Sequence, residues 1–325
     1  PIACLGRCGC RRGGVPPSVA CFCRVPILAE LYMSATLVEQ LLDSLQEAVA
    51  GQGKQDQIDW QRVFAARWES SGRAGQLRPL HLRLDTQLQD LVGIDRQKQL
   101  LELNTAQFVA GFPANDALLW GARGTGKSSV VRALLAAHAT RGLRLIEVDR
   151  GELLNLPQLV ARIRDLPWRF LLFCDDLAFE ADDQTYKSLK TLLDGSVEAG
   201  ADNLLIYATS NRRHLLPEMR SDNQAASMVD GELHPGEAIE EKISLSDRFG
   251  LWVSFYPFAQ DHYLQVVRHW LGRIAADAGL CWEWSVELEQ QALRWATARG
   301  NRNGRCARQF ARDWVGRQLL NGAAI

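Results

Sequence analysis

The sequence has 325 residues, enough for two or three domains, and its net charge of -1 gives no overall attraction to nucleic acid or to an acidic lipid surface. Apolar residues make up 47% and charged residues 23%, as in globular proteins, and no apolar run is long enough to span a membrane. The composition excludes a membrane-spanning protein and a protein that is basic overall. Attraction to nucleic acid or acidic lipid would therefore need a local basic patch.

The first 32 residues differ in composition from the rest of the chain. They are rich in Arg, Gly, Pro and Cys, and they hold five of the eight cysteines without the Cys-x-x-Cys pair that would indicate a zinc site. The apolar stretch over residues 16–31 is interrupted by Arg24 and Pro26, which makes it a poor signal peptide and favours the cytoplasm. Because the sequence starts at Pro1 without a methionine, we expect residues 1–32 to be disordered or to come from a misplaced start codon.

Residues 33–80 are predicted to form a helical arm. Apolar residues recur at helical spacing over residues 34–50. A second, short helical piece is predicted from Trp60 to Trp68, and the Gly, Arg and Pro residues of 71–80 are typical of a linker. The arm carries no motif of its own, so we expect the chemistry to lie after residue 80.

Strands and helices alternate from residue 81 onwards. Apolar runs predict strands over residues 118–120, 143–149, 169–175, 203–209 and 251–256. Helical spacing predicts helices over residues 96–108, 129–138, 153–163 and 182–197, and residues 219–243 are predicted to form a long loop. This alternation predicts an α/β fold, in which a parallel sheet is covered by helices on both faces.

The chain becomes entirely helical after Pro257. Three helical runs are predicted over residues 261–278, 285–299 and 304–320. We therefore divide the sequence into an α/β core over residues 81–258 and a small helical lid over residues 259–325.

A glycine-rich motif lies between the first predicted strand of the core and the helix that follows it. Gly121-Ala-Arg-Gly-Thr-Gly-Lys-Ser128 fits G-x-x-x-x-G-K-[ST], in which the glycines turn backbone N–H groups towards a phosphate and the helix N-terminus favours an anion. Lys127 is expected to reach the β/γ-phosphates and the Ser128 hydroxyl to bind Mg²⁺. The alternative is a glycine-rich turn that fits by chance, and the flanking strand and helix argue against it. The residues predicted to hold the nucleotide are Gly121, Ala122, Arg123, Gly124, Thr125, Gly126, Lys127, Ser128 and Ser129.

Polar side chains end two later buried strands, those predicted over residues 169–175 and 203–209. Asp175 and Asp176 follow an apolar run, which predicts Asp175 as a ligand of Mg²⁺ and Asp176 as a general base or water-positioning carboxylate. Asn211 follows the neighbouring strand, where its amide would reach the γ-phosphate or orient water. The simpler alternatives are a solvated Asp-Asp turn and an Asn-rich cap, and the motif upstream makes them less attractive.

Arginines from two later segments complete the predicted constellation. Arg248, in Ser-Asp-Arg-Phe-Gly250, is placed to act on the site of a neighbouring subunit, with a surface pair to Asp247 or a role in its own site as the alternatives. Arg305 or Arg308, at the start of the last helix, would point from the lid to the γ-phosphate. Arg305 is preferred because it directly follows Gly304.

The order of these motifs resembles that of the AAA+ ATPase superfamily, a branch of the P-loop NTPases, over about residues 81–320. The segment Cys174–Glu180 and the segment Gly304–Phe310 together resemble a bacterial family of ATP-binding proteins that is catalogued only as a domain of unknown function. The resemblance implies ATP and Mg²⁺ as ligands, and an adenine pocket near Val92 and Gly93. It also implies a homo-oligomer with shared ATP sites.

Two features depart from the pattern of many AAA+ proteins. Asp176 stands where they have a glutamate, so activation of water could be slow, and Glu180 is an alternative base. No aromatic–hydrophobic–Gly pore loop lies between the glycine-rich loop and Asp175, so threading of a polypeptide through a pore is not supported.

Three functional hypotheses follow. The first is an oligomeric ATPase that remodels an unidentified protein or nucleic-acid client, with no membrane involved. The second is an ATP-dependent binding switch with slow or absent turnover. The third is a small-molecule kinase, against which Asn211 and Arg248 argue.

Overall fold

The computed structural model describes residues 58–71, 74–179, 185–194, 201–211, 227–229, 232–234 and 245–323. All of them belong to one compact unit, Asp56–Ile325. The predictions for residues 1–32 and 34–50 lie outside the described part of the chain, as do Glu180 and most of the long loop predicted over residues 219–243.

Within the described residues, seven strands form one sheet. They are β1 Ala65–Ser71, β2 Ala74–Pro79, β3 Ala117–Gly121, β4 Leu143–Val148, β5 Arg169–Cys174, β6 Leu204–Ser210 and β9 Leu251–Phe255. Their order in the sheet is β2-β1-β4-β5-β6-β3-β9, and the pairs are parallel except for β1 with β2. A separate antiparallel pair consists of β7 Ser227–Val229 and β8 Glu232–His234.

The helices of the described part follow the predicted order closely. They are α1 Asp95–Val109, α2 Lys127–His138, α3 Leu156–Ile163, α4 Tyr186–Leu193, α5 Gln260–Asp277, α6 Val286–Ala298 and α7 Gly304–Ala323. Short 3-10 helices span Leu88–Asp90, Ala139–Arg141 and Arg150–Asn155. None of the helices in the described ranges has the length and apolar character needed to cross a membrane.

Alternation along the central strands separates two cores. Phe170 and Leu172 of β5 pack with α3 and α4 on one face of the sheet, in a cluster with Leu159. Leu171 and Phe173 pack on the opposite face with residues of α1 and α2. Successive side chains of a strand point to opposite faces, so an unbroken apolar run is what a strand buried on both faces requires. The predicted α/β fold with helices on both faces is confirmed.

The prediction of a helical arm is wrong for residues 65–79. β1 pairs with β4 in parallel, from Ala65 opposite Leu145 to Trp68 opposite Val148, and β2 then pairs with β1. The predicted helical piece from Trp60 to Trp68 and the predicted linker over residues 71–80 are therefore replaced by two strands of the main sheet. Apolar and aromatic side chains spaced along this segment suggested one helical face, but pairing with a strand about 80 residues away overrides such local preferences.

The three C-terminal helices have a core of their own. Tyr263, Val267 and Leu271 of α5 are buried with Ala292 of α6 and Phe310 of α7. This confirms the predicted helical region after the sheet, while its boundary at residues 258 and 259 stays a prediction.

Candidate nucleotide-binding site

A cavity of about 360 Å³ opens at the carboxyl ends of β3, β5 and β6. In a parallel sheet these ends meet at one edge, so side chains far apart in sequence converge there. The residues that line the cavity are Arg123, Gly124, Gly126, Lys127, Ser128, Asp175, Asp176, Thr209, Asn211 and Arg305.

The loop between β3 and α2 holds its shape through glycine and short hydrogen bonds. Gly121 has φ 130°, and a Cβ there would overlap the carbonyl oxygen of Phe255, which accepts a hydrogen bond from the Ala122 N–H at 3.0 Å. Gly126, with φ 110°, directly precedes α2. Thr125 is buried and donates to the Ala122 carbonyl at 2.8 Å. The loop backbone thus curves around the start of α2, where unpaired N–H groups favour an anion.

Lys127 places a cation inside this curve. Its ammonium donates to the carbonyl oxygens of Gly121 at 2.8 Å and Ala122 at 2.9 Å, and to Asn211 Oδ1 at 3.2 Å. Burial lowers the pKa of Lys127, and the carboxylates of Asp176 and Asp175 oppose this shift. The three acceptors are uncharged, so the positive charge is held in position but left available to an anionic ligand.

Asp175 is surrounded by hydroxyl groups. Ser128 Oγ and Thr209 Oγ1 each donate to Asp175 Oδ1 at 2.6 Å. Carboxylate and hydroxyl oxygens suit Mg²⁺, which is typically bound by one or two protein oxygens and completed by waters and phosphates. Ser128 and Asp175 therefore fit the predicted magnesium site.

Asp176 has the only positive φ of a non-glycine residue among the described residues, at 53°. Its N–H donates to Thr209 Oγ1 at 2.9 Å, and its carboxylate accepts a short hydrogen bond from Asn211 Nδ2. Arg123 Nη2 lies 3.9 Å from Asp176 Oδ2. A left-handed backbone is disfavoured for most residues but tolerated by Asp, and it points this carboxylate into the cavity beside Asn211.

Thr209 and Asn303 are functional candidates that the sequence reasoning did not select. Thr209, 1% exposed, connects the backbone of Asp176 to the carboxylate of Asp175. The sequence places Thr209 at the end of the strand next to the Asp-Asp strand, and this position could have indicated its role. Asn303 caps α7 by accepting from Cys306 N at 2.9 Å and donates to the Arg123 carbonyl at 3.1 Å. Its signal was an Asn immediately before a predicted helix.

The two candidate lid arginines occupy different places. Arg305 lines the cavity, and its N–H donates to the Gly124 carbonyl at 3.3 Å. Arg308 instead lies 4.5 Å above the ring of Trp270 and pairs with Asp85 at 3.7 Å. Of the two, only Arg305 faces the predicted phosphate position.

Arg248 does not line the cavity of its own chain. Its guanidinium pairs with Asp194, at the end of α4, rather than with the adjacent Asp247 considered from the sequence. Ser129 also lies outside the lining of this cavity and contributes to a separate groove.

Val92 and Gly93 lie where the core meets the lid. Val92 lines a small apolar cavity of about 60 Å³, together with Gly126 and Phe258. Gly93 has φ 79°, and a Cβ there would overlap the ring of His262. That ring stacks on Phe258 with centroids 4.0 Å apart, and its Nε2 lies 3.3 Å from the Val92 carbonyl oxygen. The predicted adenine pocket therefore has an apolar cavity beside Val92, whereas Gly93 contributes a close backbone approach.

Comparison with known sequences identifies the family. Residues 61–318 match the family described as Protein of unknown function (DUF815), which is more than half of the chain. The chain belongs to this family. The match confirms the resemblance, stated from the sequence, to a family catalogued only as a domain of unknown function, and the mostly parallel sheet is the fold that this resemblance implies. No protein of curated function matches the chain.

Several solved structures are similar to this one at low identity. They include the Thermotoga maritima RuvB Holliday junction branch migration motor, with 14% identity, a TM-score of 0.40 and coverage of 69% of this chain and 70% of that chain. A DNA replication initiation factor has 16% identity, a TM-score of 0.43 and coverage of 70% and 63%. The Aeropyrum pernix ORC1 protein in complex with DNA has 14% identity, a TM-score of 0.45 and coverage of 68% and 61%. At this level of similarity, nothing about activity or partners passes from these proteins to this chain.

Proposed function

We propose that this chain is an ATPase that binds ATP with Mg²⁺ and hydrolyses it to ADP and phosphate. The observation that supports this proposal is the convergence of a buried lysine and two differently held carboxylates in one cavity. Lys127 is held by neutral oxygens, Asp175 by two hydroxyls, and Asp176 by the Asn211 amide. This arrangement separates phosphate binding, metal binding and water activation onto different side chains.

The residues divide the work as follows. Lys127 and the loop N–H groups would bind the β- and γ-phosphates, and Arg305 would contact the γ-phosphate from the lid. Ser128 and Asp175 would hold Mg²⁺, which when bound neutralises charge on the phosphate oxygens. Asp176 would accept a proton from the attacking water, with Asn211 fixing the direction of its carboxylate.

Arg248 is assigned to a neighbouring subunit. Its position outside the cavity of its own chain supports a role in trans, in which it leaves Asp194 and stabilises the transferring phosphoryl group next door. The active form would then be a homo-oligomer with shared sites, and ATP turnover would drive remodelling of a protein or nucleic-acid client.

The test of hydrolysis removes the carboxylate of Asp176. Asp176→Asn keeps an oxygen for Asn211 but cannot take a proton, so we expect phosphate release to fall by about two to four orders of magnitude while ATP affinity stays within a few-fold. Wild-type turnover in Asp176→Asn would rule out the assigned base.

The trans arginine is tested by protein concentration. We expect specific ATPase activity to rise with concentration and to collapse in Arg248→Ala, with ATP binding retained. Arg150→Ala, whose guanidinium donates to the Ala178 carbonyl outside the cavity lining, controls for the loss of an arginine near this edge. Activity that is independent of concentration and of Arg248 would exclude a shared site.

A slow binding switch is the second candidate, favoured by the side chain of Asp176. The carboxylate is one methylene shorter than a glutamate and is engaged by Asn211, both of which restrict its reach to water. If the switch is correct, Asp176→Glu should turn over ATP much faster than the wild type. Rapid wild-type turnover without this gain would eliminate the switch.

A further inference from the structure

A groove rich in arginine lies between the core and the lid, apart from the nucleotide cavity. It has a volume of about 280 Å³, and Arg83, Arg132, Arg308 and Arg312 all line it. Asp85 is the only acidic residue in its lining. The four arginines come from three separate segments, so the tertiary fold brings them together on a chain whose net charge is -1.

Three of these arginines have no internal counterion. Arg308 pairs with Asp85 at 3.7 Å, but Arg83, Arg132 and Arg312 form no ion pair with any residue in the described ranges. Each of the three is solvent-exposed. Converging like charges repel one another, and a bound anion would remove that repulsion.

The lining suits a chain of phosphates. A guanidinium group binds a pair of phosphate oxygens through paired N–H donors, as it does a carboxylate. The three guanidinium groups come from three segments, and a nucleic-acid strand carries one phosphate per nucleotide, so successive phosphates of one strand can pair with them. The hydroxyls of Thr86 and Ser129 in the same lining are further donors suited to phosphate oxygens.

The groove continues into a second cavity of about 400 Å³, with which it shares Leu82, Arg83 and Leu84. This neighbour adds Arg62 and His81 and no acidic residue. Residues 81–87 alternate between exposed and half-buried positions, so His81 and Arg83 both lie on the exposed side of this segment. Arg62 pairs with Asp59 at 3.6 Å, so the unpaired guanidinium groups are those of the groove, and the second cavity gives an extended ligand room to continue beyond them.

We infer that this groove binds the sugar–phosphate backbone of nucleic acid, without reading its sequence. Nucleic acid would then be the client of the proposed ATPase. Binding in the groove does not depend on ATP hydrolysis, but the use of that binding rests on the proposed function. Arg132 lies on α2, which begins at Lys127, and Arg312 lies on α7, whose first turn carries Arg305. The helices α2 and α7 therefore contribute residues both to the nucleotide cavity and to the groove.

The experiment measures binding of a labelled oligothymidylate by fluorescence anisotropy, without nucleotide, at several salt concentrations. At about 100 mM salt, we expect each of Arg83→Gln, Arg132→Gln and Arg312→Gln to weaken binding roughly five- to tenfold. Each should also make the slope of the logarithm of the binding constant against the logarithm of salt concentration shallower by about one. The triple variant should lose most binding. Arg317→Gln, also on α7 but paired with Asp313 at 2.9 Å, should bind like the wild type.

Three outcomes would overturn the inference. They are absence of wild-type binding at low salt, a triple variant with wild-type affinity and slope, and displacement by polyglutamate as effective as by oligothymidylate, which would indicate an acidic protein partner. Thermal unfolding checks that the variants fold, as expected for exposed side chains. ATPase activity is measured separately, so an inactive protein that still binds through the groove would refute the proposed function and leave this inference intact.

Discussion

Asp176 combines a left-handed backbone with a carboxylate proposed to act in hydrolysis. Substitutions can separate the effect of the backbone angle on stability from the effect of the carboxylate on activity. Its φ of 53° costs most residues about 1–2 kcal/mol, whereas glycine adopts it freely. We expect Asp176→Ala to lower the free energy of unfolding by about 1 kcal/mol and Asp176→Gly to leave it nearly unchanged. Both should lose ATP hydrolysis. Urea denaturation with a parallel phosphate-release assay checks this, and equal stability of the two variants would show that the backbone angle carries no strain.

Asp116 makes stability depend on pH far from the nucleotide cavity. Burial raises its pKa from 3.8 to about 6, although the Ile206 N–H donates to its Oδ1 at 2.7 Å. A pKa that is higher in the folded state means that the folded protein binds the proton more tightly. The free energy of unfolding therefore falls as pH rises from about 4 to about 6, by about 2–3 kcal/mol in total.

The matching variant is Asp116→Asn, which keeps the acceptor for Ile206 and cannot ionise. We expect it to be more stable than the wild type by about 2–3 kcal/mol at neutral pH and to lose the decline between about pH 4 and 6. Chemical denaturation at several pH values measures both. A wild-type curve that rises through this window would contradict the assigned shift.

Most lining residues of the nucleotide cavity could be predicted from the sequence because they belong to the glycine-rich motif or come after an apolar run. Lys127 lies in that motif, Asp175 and Asn211 come after apolar runs, and the carboxyl ends of parallel strands converge. The roles of Thr209 and Asn303 depend on hydrogen bonds to partners at least 33 residues away. The sequence marks both positions, at a strand end and before a helix, but only the folded structure identifies their distant partners.

The first two strands show the same limit at the scale of elements. β1 has Ala65 buried on one face of the sheet, and Ala66 and Trp68 on the other. It also contains Ala, Arg and Glu, which favour helices locally. What makes it a strand is its parallel pairing with β4, a non-local interaction. The apolar strands β5 and β6 needed no such information, because their unbroken apolar runs with aromatic or β-branched residues already excluded an exposed helix.

Gly75 of β2 tests this pairing. A Cβ at this position would overlap the indole ring of Trp68, which is 0% exposed. We expect Gly75→Ala to displace that ring and to lower the free energy of unfolding by about 1–3 kcal/mol. Gly151→Ala is the control, since nothing lies within 4 Å of a Cβ there. Equal stability of the two variants, measured by thermal unfolding, would be incompatible with the packing of Trp68 against β2.

At the scale of the molecule, polar contacts among the described residues connect the lid to the core on two sides. On one side, Arg273 of α5 forms an ion pair with Asp90, which is 4% exposed, and Arg308 of α7 pairs with Asp85. On the other side, the start of α7 contacts the phosphate loop through Asn303 and Arg305. The first attachment holds the lid near the segment that precedes α1. The second attachment lies next to the predicted phosphate position, so a phosphate bound in the loop would act on it directly.

Asn303 allows the second attachment to be broken without breaking the helix. Its Oδ1 caps α7 by accepting from Cys306 N, while its Nδ2 donates to the Arg123 carbonyl. Asn303→Ser keeps a capping oxygen but is too short to replace the bond to the loop, and Asn303→Ala removes both. We therefore expect the Ser variant to keep wild-type stability and the Ala variant to lose about 1 kcal/mol, whereas both should bind ATP several-fold more weakly. Calorimetric titration with ATP and thermal unfolding of the two variants separate these effects. Weaker ATP binding only in Asn303→Ala would mean that the cap, and not the bond from lid to loop, supports the nucleotide cavity.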